Sequence, residues 1–400
     1  RAYPSLCQLR RYIYGYQRIG HRNIDEHLGA TYVCSAAQGA EIGGTRMKIL
    51  VAGGGTGGHI FPAVALAETF KGQEPDTRIL FVGTRNELEI STLARKGFKH
   101  MSIAAAGLKG RSLWQQLLAM LRIPKGFFQA VGIIRRFDPD IVIGVGGYAS
   151  GPVVLAAKLM RKRVVIHEQN VIPGFTNRLL GRISDRIFLS FPDKLGVFDK
   201  AKTVLTGNPV REEILATRRE NRIENQTTGL FNLLIVGGSQ GAHAINRAII
   251  EALDYLNEPG RIRFTHQTGA NDLEWVEAAY SRHGTNADVR PFFEDMATAY
   301  KNADLVICRA GATTVAELTA LGKPAIYIPF PFAVHNHQAL NAGRVTEASG
   351  GELLLEADLD GQMLAKKIDR YLSSPADLRA MATRAKALGQ PNASQQMVTE

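Results

Sequence analysis

Cysteine is scarce in this chain. Three occur in 400 residues, Cys7, Cys34 and Cys308, with no paired spacing for zinc or a disulfide framework, so a reducing compartment fits best. Long apolar runs are missing as well. The longest uncharged stretch of the first half, Ile141 to Ala157, holds four glycines and a proline, which makes it a poor spanning helix. No secretory leader is expected from the opening residues. Acid is absent from Ile90 through Phe137, against nine lysines and arginines. The formal net charge of +11 points to an anionic partner: a phosphorylated substrate, nucleic acid or an anionic membrane.

What is present is a repeated unit. Lys48-Ile-Leu-Val-Ala52 runs into Gly53-Gly-Gly-Thr-Gly-Gly-His59, and Asn232-Leu-Leu-Ile-Val236 into Gly237-Gly-Ser-Gln-Gly-Ala-His243, aligned without a gap. Each reads as a buried strand, a turn whose backbone can approach a ligand, and a helix start. Free N–H groups and the positive dipole end make such a start a phosphate site. Two units in a chain of this length imply two α/β domains of about 150–200 residues each, facing each other.

Apolar runs alternating with helical stretches imply parallel strands joined by crossover helices. Strands are expected at Lys48–Ala52, Ile79–Gly83, Ile141–Val145, Val164–His167 and Arg186–Leu189. In the second half they are expected at Leu233–Val236, Arg263–Gln267, Leu305–Cys308 and Ala325–Ile328. Thr206-Gly-Asn-Pro-Val-Arg211, followed by the polar stretch Arg218 to Thr228, places a hinge near Thr206–Gly207. The domains are then 47–206 and 207–400. Residues 1–46 hold five of the eleven tyrosines and precede Met47, where a translation start is expected; they read as an extension without a role. Asp377 to Leu388 is Ala-rich and helical in pattern, and the chain then turns polar.

Gly53, Gly55 and Gly58 formally satisfy G-x-G-x-x-G. A dinucleotide site also needs an acid at the tip of the second strand for the ribose. Here Ile79–Gly83 ends in Thr84-Arg85, and no lysine-serine pair completes a nucleotide loop of the Walker type. His59 falls near a helix N-terminus at the carboxyl edge of the sheet. It is either a helix-start residue or a general base, since a positive helix end favours neutral imidazole.

Further turns follow other strands. Gly144-Val-Gly-Gly-Tyr-Ala-Ser-Gly-Pro152 opens a helix and carries Tyr148 and Ser150, suited either to tight packing or to a phosphate or sugar contact. His167-Glu-Gln-Asn170 puts four polar residues at a strand exit, where Glu168 or Asn170 could reach sugar hydroxyls. Arg309-Ala-Gly-Ala-Thr-Thr-Val-Ala-Glu317 places a helix start at Ala312–Thr314, with Glu317 in or near its first turn. That carboxylate either complements the dipole or accepts both hydroxyls of a ribose. His335-Asn-His-Gln338 is a strand exit dense in hydrogen-bonding groups, but no carboxylate accompanies its histidines and a metal is not expected. Asp138-Pro-Asp140 precedes its strand and is expected at the amino edge as a structural turn, which argues for a metal-independent site.

The acid-free stretch has a face of its own. Leu113, Leu117, Leu118 and Leu121 repeat at helical spacing, with Trp114, Met120, Ile123, Phe127 and Phe128 around an expected break at Pro124. Lys109, Arg111, Arg122 and Lys125 flank them. This is either a core helix with a basic side or an interfacial surface for anionic headgroups. Nucleic acid is disfavoured, because the aromatics cluster with aliphatic residues rather than line a polar groove.

Taken in order along the chain from Met47 to the end, these motifs resemble the lipid II-forming N-acetylglucosaminyltransferases of peptidoglycan synthesis, in glycosyltransferase family 28. The resemblance implies an α/β fold of the GT-B type, two Rossmann-like domains facing across a cleft. It implies UDP-N-acetylglucosamine as donor, lipid I (undecaprenyl-pyrophosphoryl-N-acetylmuramoyl-pentapeptide) as acceptor, no cofactor, and work at the cytoplasmic face of the bacterial plasma membrane. By the same resemblance Thr56, Gly57 and Gly58 lie near donor sugar and acceptor, Asn170 touches the sugar, and Arg211 and Ser239 reach the diphosphate, with Gln240 a further substrate-binding residue. Phe293 lies by the uracil through its backbone. Ala312, Thr313, Thr314, Val315, Ala316 and Glu317 hold the nucleotide, with Glu317 on the ribose, and Gln338 binds sugar hydroxyls; Arg309 and Tyr148 are further substrate-binding candidates. One departure is His337-Gln338 where some members have two glutamines. His59 is expected as the base that activates the acceptor 4-hydroxyl, with Glu168 in reserve. The rival expectations are a diacylglycerol glucosyltransferase or a UDP-sugar epimerase.

Overall fold

The computed structural model describes residues 46–105, 113–218 and 229–400, with the side chains of the helix that starts at Leu113 described from residue 124 on. The expectations for the N-terminal extension, for Lys109, Arg111, Trp114 and Arg122, and for the polar stretch at 219–228 lie outside the described residues.

Two parallel sheets organise the chain. The first has seven strands: β1 Lys48–Ala52, β2 Arg78–Gly83, β3 Lys99–Ser102, β4 Ile141–Gly144, β5 Arg163–Glu168, β6 Arg186–Leu189 and β7 Thr203–Leu205, in the order β3-β2-β1-β4-β5-β6-β7. The second has six: β8 Phe231–Val236, β9 Ile262–Gln267, β10 Ala287–Arg290, β11 Leu305–Cys308, β12 Ala325–Tyr327 and β13 Glu352–Leu353, in the order β10-β9-β8-β11-β12-β13. Both orders reverse beside their first strand, between β1 and β4 and between β8 and β11. Such a reversal opens a crevice at the carboxyl ends, where α/β sheets bind ligands. The expected glycine turns follow those four strands.

The first domain's helices are α1 Gly57–Gln73, α2 Glu87–Arg95, α3 Leu113–Phe137, α4 Ser150–Leu159 and α5 Phe175–Gly181. The second domain adds α6 Glu212–Ala216, α7 His243–Ala252, α8 Leu273–Arg282, α9 Met296–Asn302, α10 Ala312–Leu321, α11 His337–Thr346, α12 Gly361–Ser373 and α13 Pro375–Leu388, before α14 Ala393–Thr399. Helices cover both faces of each sheet, so each central strand is apolar on both sides. In β1, Leu50 and Ala52 enter one core and Ile49 and Val51 the other; in β8, Leu233 and Ile235 part from Leu234 and Val236 in the same way.

Three features differ from the sequence reading. All four strands that were not expected, β3, β7, β10 and β13, are edge strands. The expected break at Pro124 does not occur, and α3 runs through it. Proline removes one backbone donor, but the helix beyond it is held by Ala130, Ile133 and Ile134 in the core and by close approach of Gly126 to the Ala104 carbonyl, where a Cβ would stand at 2.2 Å. Finally, the polar end of the chain folds back on the first domain. Met397 and Val398 of α14 pack with Ile60, Val64 and Phe70 of α1, so the last helix completes the first core. Asp138-Pro-Asp140 lies at the amino edge as expected, where Asp140 accepts the Lys48 N–H at 2.7 Å.

Candidate functional site

The first glycine turn leaves β1 with Gly53, Gly54 and Gly55 all at positive φ, so side chains there would be strained. The turn after β4 packs directly against it: a Cβ on Gly147 would meet the Gly54 carbonyl at 2.5 Å, and one on Gly146 the His59 ring at 3.0 Å. Beneath the loop, the buried Glu89 carboxylate accepts the Gly55 N–H at 3.1 Å. Thr56 stands at the N-cap position of α1 without a side-chain capping bond, and His59 is the third residue of that helix.

His59 is half-buried. Its Nδ1 lies 3.2 Å from Gln169 Oε1, and Gln169 Nε2 donates to the Val145 carbonyl at 2.8 Å. Burial pulls its pKa below the ordinary 6.5, against the opposing pull of the Glu168 charge. Neutrality was expected from the helix end; the structure attributes it to desolvation instead. The consequence is a definite pH profile. If neutral His59 is the required form, kcat/KM stays level as pH falls through 6.5 and drops only below it, whereas a fall centred above 6.5 would mean that another group titrates.

Glu168 has different surroundings. Its oxygens accept from the backbone N–H groups of Asn170 and Gly174, each at 3.0 Å, and from Asn177 Nδ2 at 2.9 Å. It is almost fully buried and holds the β5–α5 loop in shape. The geometry therefore favours His59 over the reserve base.

Across the cleft, the Gly237–Gly241 turn ends β8 with Ser239 and Gln240 exposed ahead of α7. The α10 start faces the first domain directly: Thr313 Oγ1 donates to the Gly58 carbonyl at 3.1 Å. Asn341 of α11 bridges the same gap, donating to Asn170 Oδ1 at 3.3 Å and accepting the Val171 N–H at 3.1 Å. Arg211, at the start of α6, places its guanidinium 4.4 Å from the Phe61 ring of α1. Residues expected from both domains thus meet in one place.

Several assignments look different in detail. Glu317 is the sixth residue of α10, so it lies in the second turn and the dipole does not explain it. Arg211 donates to its Oε1 through Nη2 at 2.8 Å and Nε at 3.2 Å, and the Tyr300 hydroxyl donates to Oε2 at 3.2 Å. Burial works against the Arg211 charge, yet Glu317 holds its pKa above the ordinary value. Arg309 is occupied by the carbonyls of Ile328 and Pro329 and by Glu356 at 2.5 Å, which makes it a scaffold for the α10 start. The Phe293 N–H is taken by Gln267 Oε1 at 2.8 Å, and Gln338 Oε1 caps the Phe330 N–H at 2.9 Å. Tyr148 stands exposed at the rim. Asn341, Phe61 and Tyr300 had no assigned part. Asn341 follows Gln338 by three residues and so shares its helix face, the one signal that could have marked it.

The description "Glycosyltransferase family 28 N-terminal domain" matches residues 49–189, and "Glycosyltransferase family 28 C-terminal domain" matches 232–397. This chain belongs to glycosyltransferase family 28. The first matched region runs from β1 through β6 and the second from β8 through β13. A family 28 relative from Syntrophus aciditrophicus is 47% identical over 88% of this chain and 97% of its own; it is named UDP-N-acetylglucosamine–N-acetylmuramyl-(pentapeptide) pyrophosphoryl-undecaprenol N-acetylglucosamine transferase. The crystal structure of Acinetobacter baumannii MurG superposes with a TM-score of 0.69 at 32% identity, covering 88% of this chain and 98% of that one. A UDP-GlcNAc 2-epimerase from Neisseria meningitidis, bound to UDP-GlcNAc, gives a TM-score of 0.63 at 16% identity, covering 88% and 98% of the two chains; that likeness is one of fold alone. Among the described residues no helix is long and apolar enough to cross a membrane.

Proposed function

We propose that this family 28 enzyme moves N-acetylglucosamine from UDP-N-acetylglucosamine to the 4-hydroxyl of the muramoyl sugar of lipid I, giving lipid II and UDP with inversion at the anomeric carbon. The observation that carries the chemistry is the meeting of His59's helix start, in the first domain, with the α10 start of the second, where Thr313 Oγ1 donates to the Gly58 carbonyl at 3.1 Å. His59 takes the proton of the acceptor hydroxyl as its oxygen attacks the anomeric carbon from the face opposite UDP. The turn ahead of α7, where Ser239 and Gln240 are exposed, and the N-terminus of α10 supply backbone N–H groups for charge on the departing diphosphate, as preorganised donors do. Asp138 and Asp140 sit at the opposite edge of the sheet, and the reading needs no metal.

Purified protein with labelled UDP-N-acetylglucosamine and a lipid I analogue should yield labelled disaccharide lipid and UDP in excess EDTA. Failure to transfer the label, with UDP-N-acetylmannosamine formed from donor alone, would favour the epimerase reading.

The same reading places the enzyme peripherally on the cytoplasmic face of the membrane. Support comes from α3: Phe127 packs on the core while its neighbour Phe128 is 72% exposed beside exposed Lys125. Apolar insertion and headgroup attraction add, at about 1 kcal/mol per basic residue near the surface. Phe128→Ala and Lys125→Glu should each reduce co-sedimentation with anionic vesicles while turnover of a short-chain soluble acceptor persists. Binding equal to that of the unaltered protein in both variants would place the attachment elsewhere.

A further inference from the structure

Between the two domains' cleft and the interior of the first sheet runs a chain of hydrogen bonds that begins at His59. Gln169 is almost fully buried, at 1% exposure, and its amide is oriented by its neighbours. The Val145 carbonyl, 2.8 Å away, can only accept, so the nitrogen of the amide faces it. The second amide hydrogen points at His167 Nδ1, 3.2 Å away. Burial drives the His167 pKa down to about 3, so this ring is neutral and its Nδ1 accepts, leaving Nε2–H to meet Ser190 Oγ at 3.0 Å. The Gln169 oxygen is then left facing His59 Nδ1 at 3.2 Å.

We infer that Gln169 is a positioning residue that fixes His59 in its Nδ1–H tautomer, leaving Nε2 as the free, proton-accepting nitrogen. The inference rests on the reading of His59 as the base. An acceptor-only oxygen opposite Nδ1 demands a proton there, and a neutral imidazole carries only one. The ring is also held in place: the Gly146 backbone closes on it, so that a Cβ there would stand 3.0 Å away, and the Val145 carbonyl bonds to it as well. Gln169 thus does for His59 what an orienting partner does for a catalytic histidine elsewhere, without bringing a second negative charge into the site.

Nitrogen-15 NMR of the full chain labelled at histidine reads the tautomer directly, with the His59 signals identified by their loss in His59→Ala. The Nδ1–H form is expected in the unaltered protein. In Gln169→Leu the tautomer preference should weaken and kcat should fall about tenfold to a hundredfold, the range for residues that orient a functional ligand, while KM for the donor changes little. In a His59→Ala background the same change should cost almost nothing further, since its effect passes through the ring. Gln169→Glu offers a check that keeps an oxygen opposite Nδ1: it should retain the tautomer, and its charge should move the acidic fall of kcat/KM to higher pH. An Nε2–H tautomer in the unaltered protein, or an equal loss from Gln169→Leu with and without His59, would overturn the positioning role. Full activity in His59→Ala beside an intact Nδ1–H tautomer would instead overturn the base assignment.

Discussion

His59→Ala lowers kcat for sugar transfer by about 10²–10⁴, the usual contribution of a positioned general base, and leaves UDP binding nearly unchanged. The separation follows from placement. His59 stands on α1 of the first domain, whereas the diphosphate turn and the α10 start belong to the second. The substitution sits at the third position of a helix whose neighbours Ile60, Ala63 and Val64 carry the burial, so the fold should tolerate it. Steady-state kinetics with the donor and acceptor varied in turn, beside calorimetric titration with UDP, checks both halves. A loss that appears as weaker UDP binding with kcat intact would remove His59 from the chemistry.

The second large effect concerns the Arg211–Glu317 pair. The two side chains are buried, and they join the hinge to α10. Removing one member leaves the other charged and unsatisfied in a poorly solvated place, which typically costs about 3–5 kcal/mol. Arg211→Met should therefore lower the urea midpoint of the second domain clearly, and Arg211→Met/Glu317→Gln should recover part of that loss because no lone charge remains. Glu317→Gln alone keeps the shape and an oxygen for Arg211 to donate to, so it tests recognition at a temperature where the weakened pair leaves the fold intact. Hydrogen bonds to a charged group are worth about 1.5–3 kcal/mol each, so KM for UDP-N-acetylglucosamine should rise about tenfold to a hundredfold while that for the acceptor changes little. A carboxylate has lone pairs beyond those used by Arg211 and Tyr300, so the pair and a ribose contact are compatible. Equal changes in both KM values would reduce Glu317 to a structural anchor.

Much of this arrangement was legible in the sequence because parallel sheets demand it. Central strands such as β1 and β8 are buried on both faces and read as unbroken apolar runs ending in glycine, so both strand–turn–helix units were visible. Edge strands carry no such demand: Lys-His-Met-Ser in β3 and Ala-Asp-Val-Arg in β10 keep one side open and show no run. Contacts between distant parts of the chain left no local trace. Nothing near Arg211 indicates that Glu317 will occupy it, and the return of α14 depends on two apolar residues, Met397 and Val398, in a polar segment. Within His167–Asn170 the polar run was seen, but its division of labour was not. Glu168, the last residue of β5, holds a loop, and beyond the strand's end Gln169 faces the imidazole and Asn170 meets Asn341, so no periodicity marks their parts.

The most direct measurement is the anomeric configuration of the new glycosidic bond in the isolated disaccharide lipid, read from the coupling of its anomeric proton by NMR. UDP-N-acetylglucosamine is an α-linked donor, and attack by the His59-activated oxygen from the face opposite the diphosphate gives a β bond. An α-linked product would contradict single displacement in this cleft, and with it the role assigned to His59.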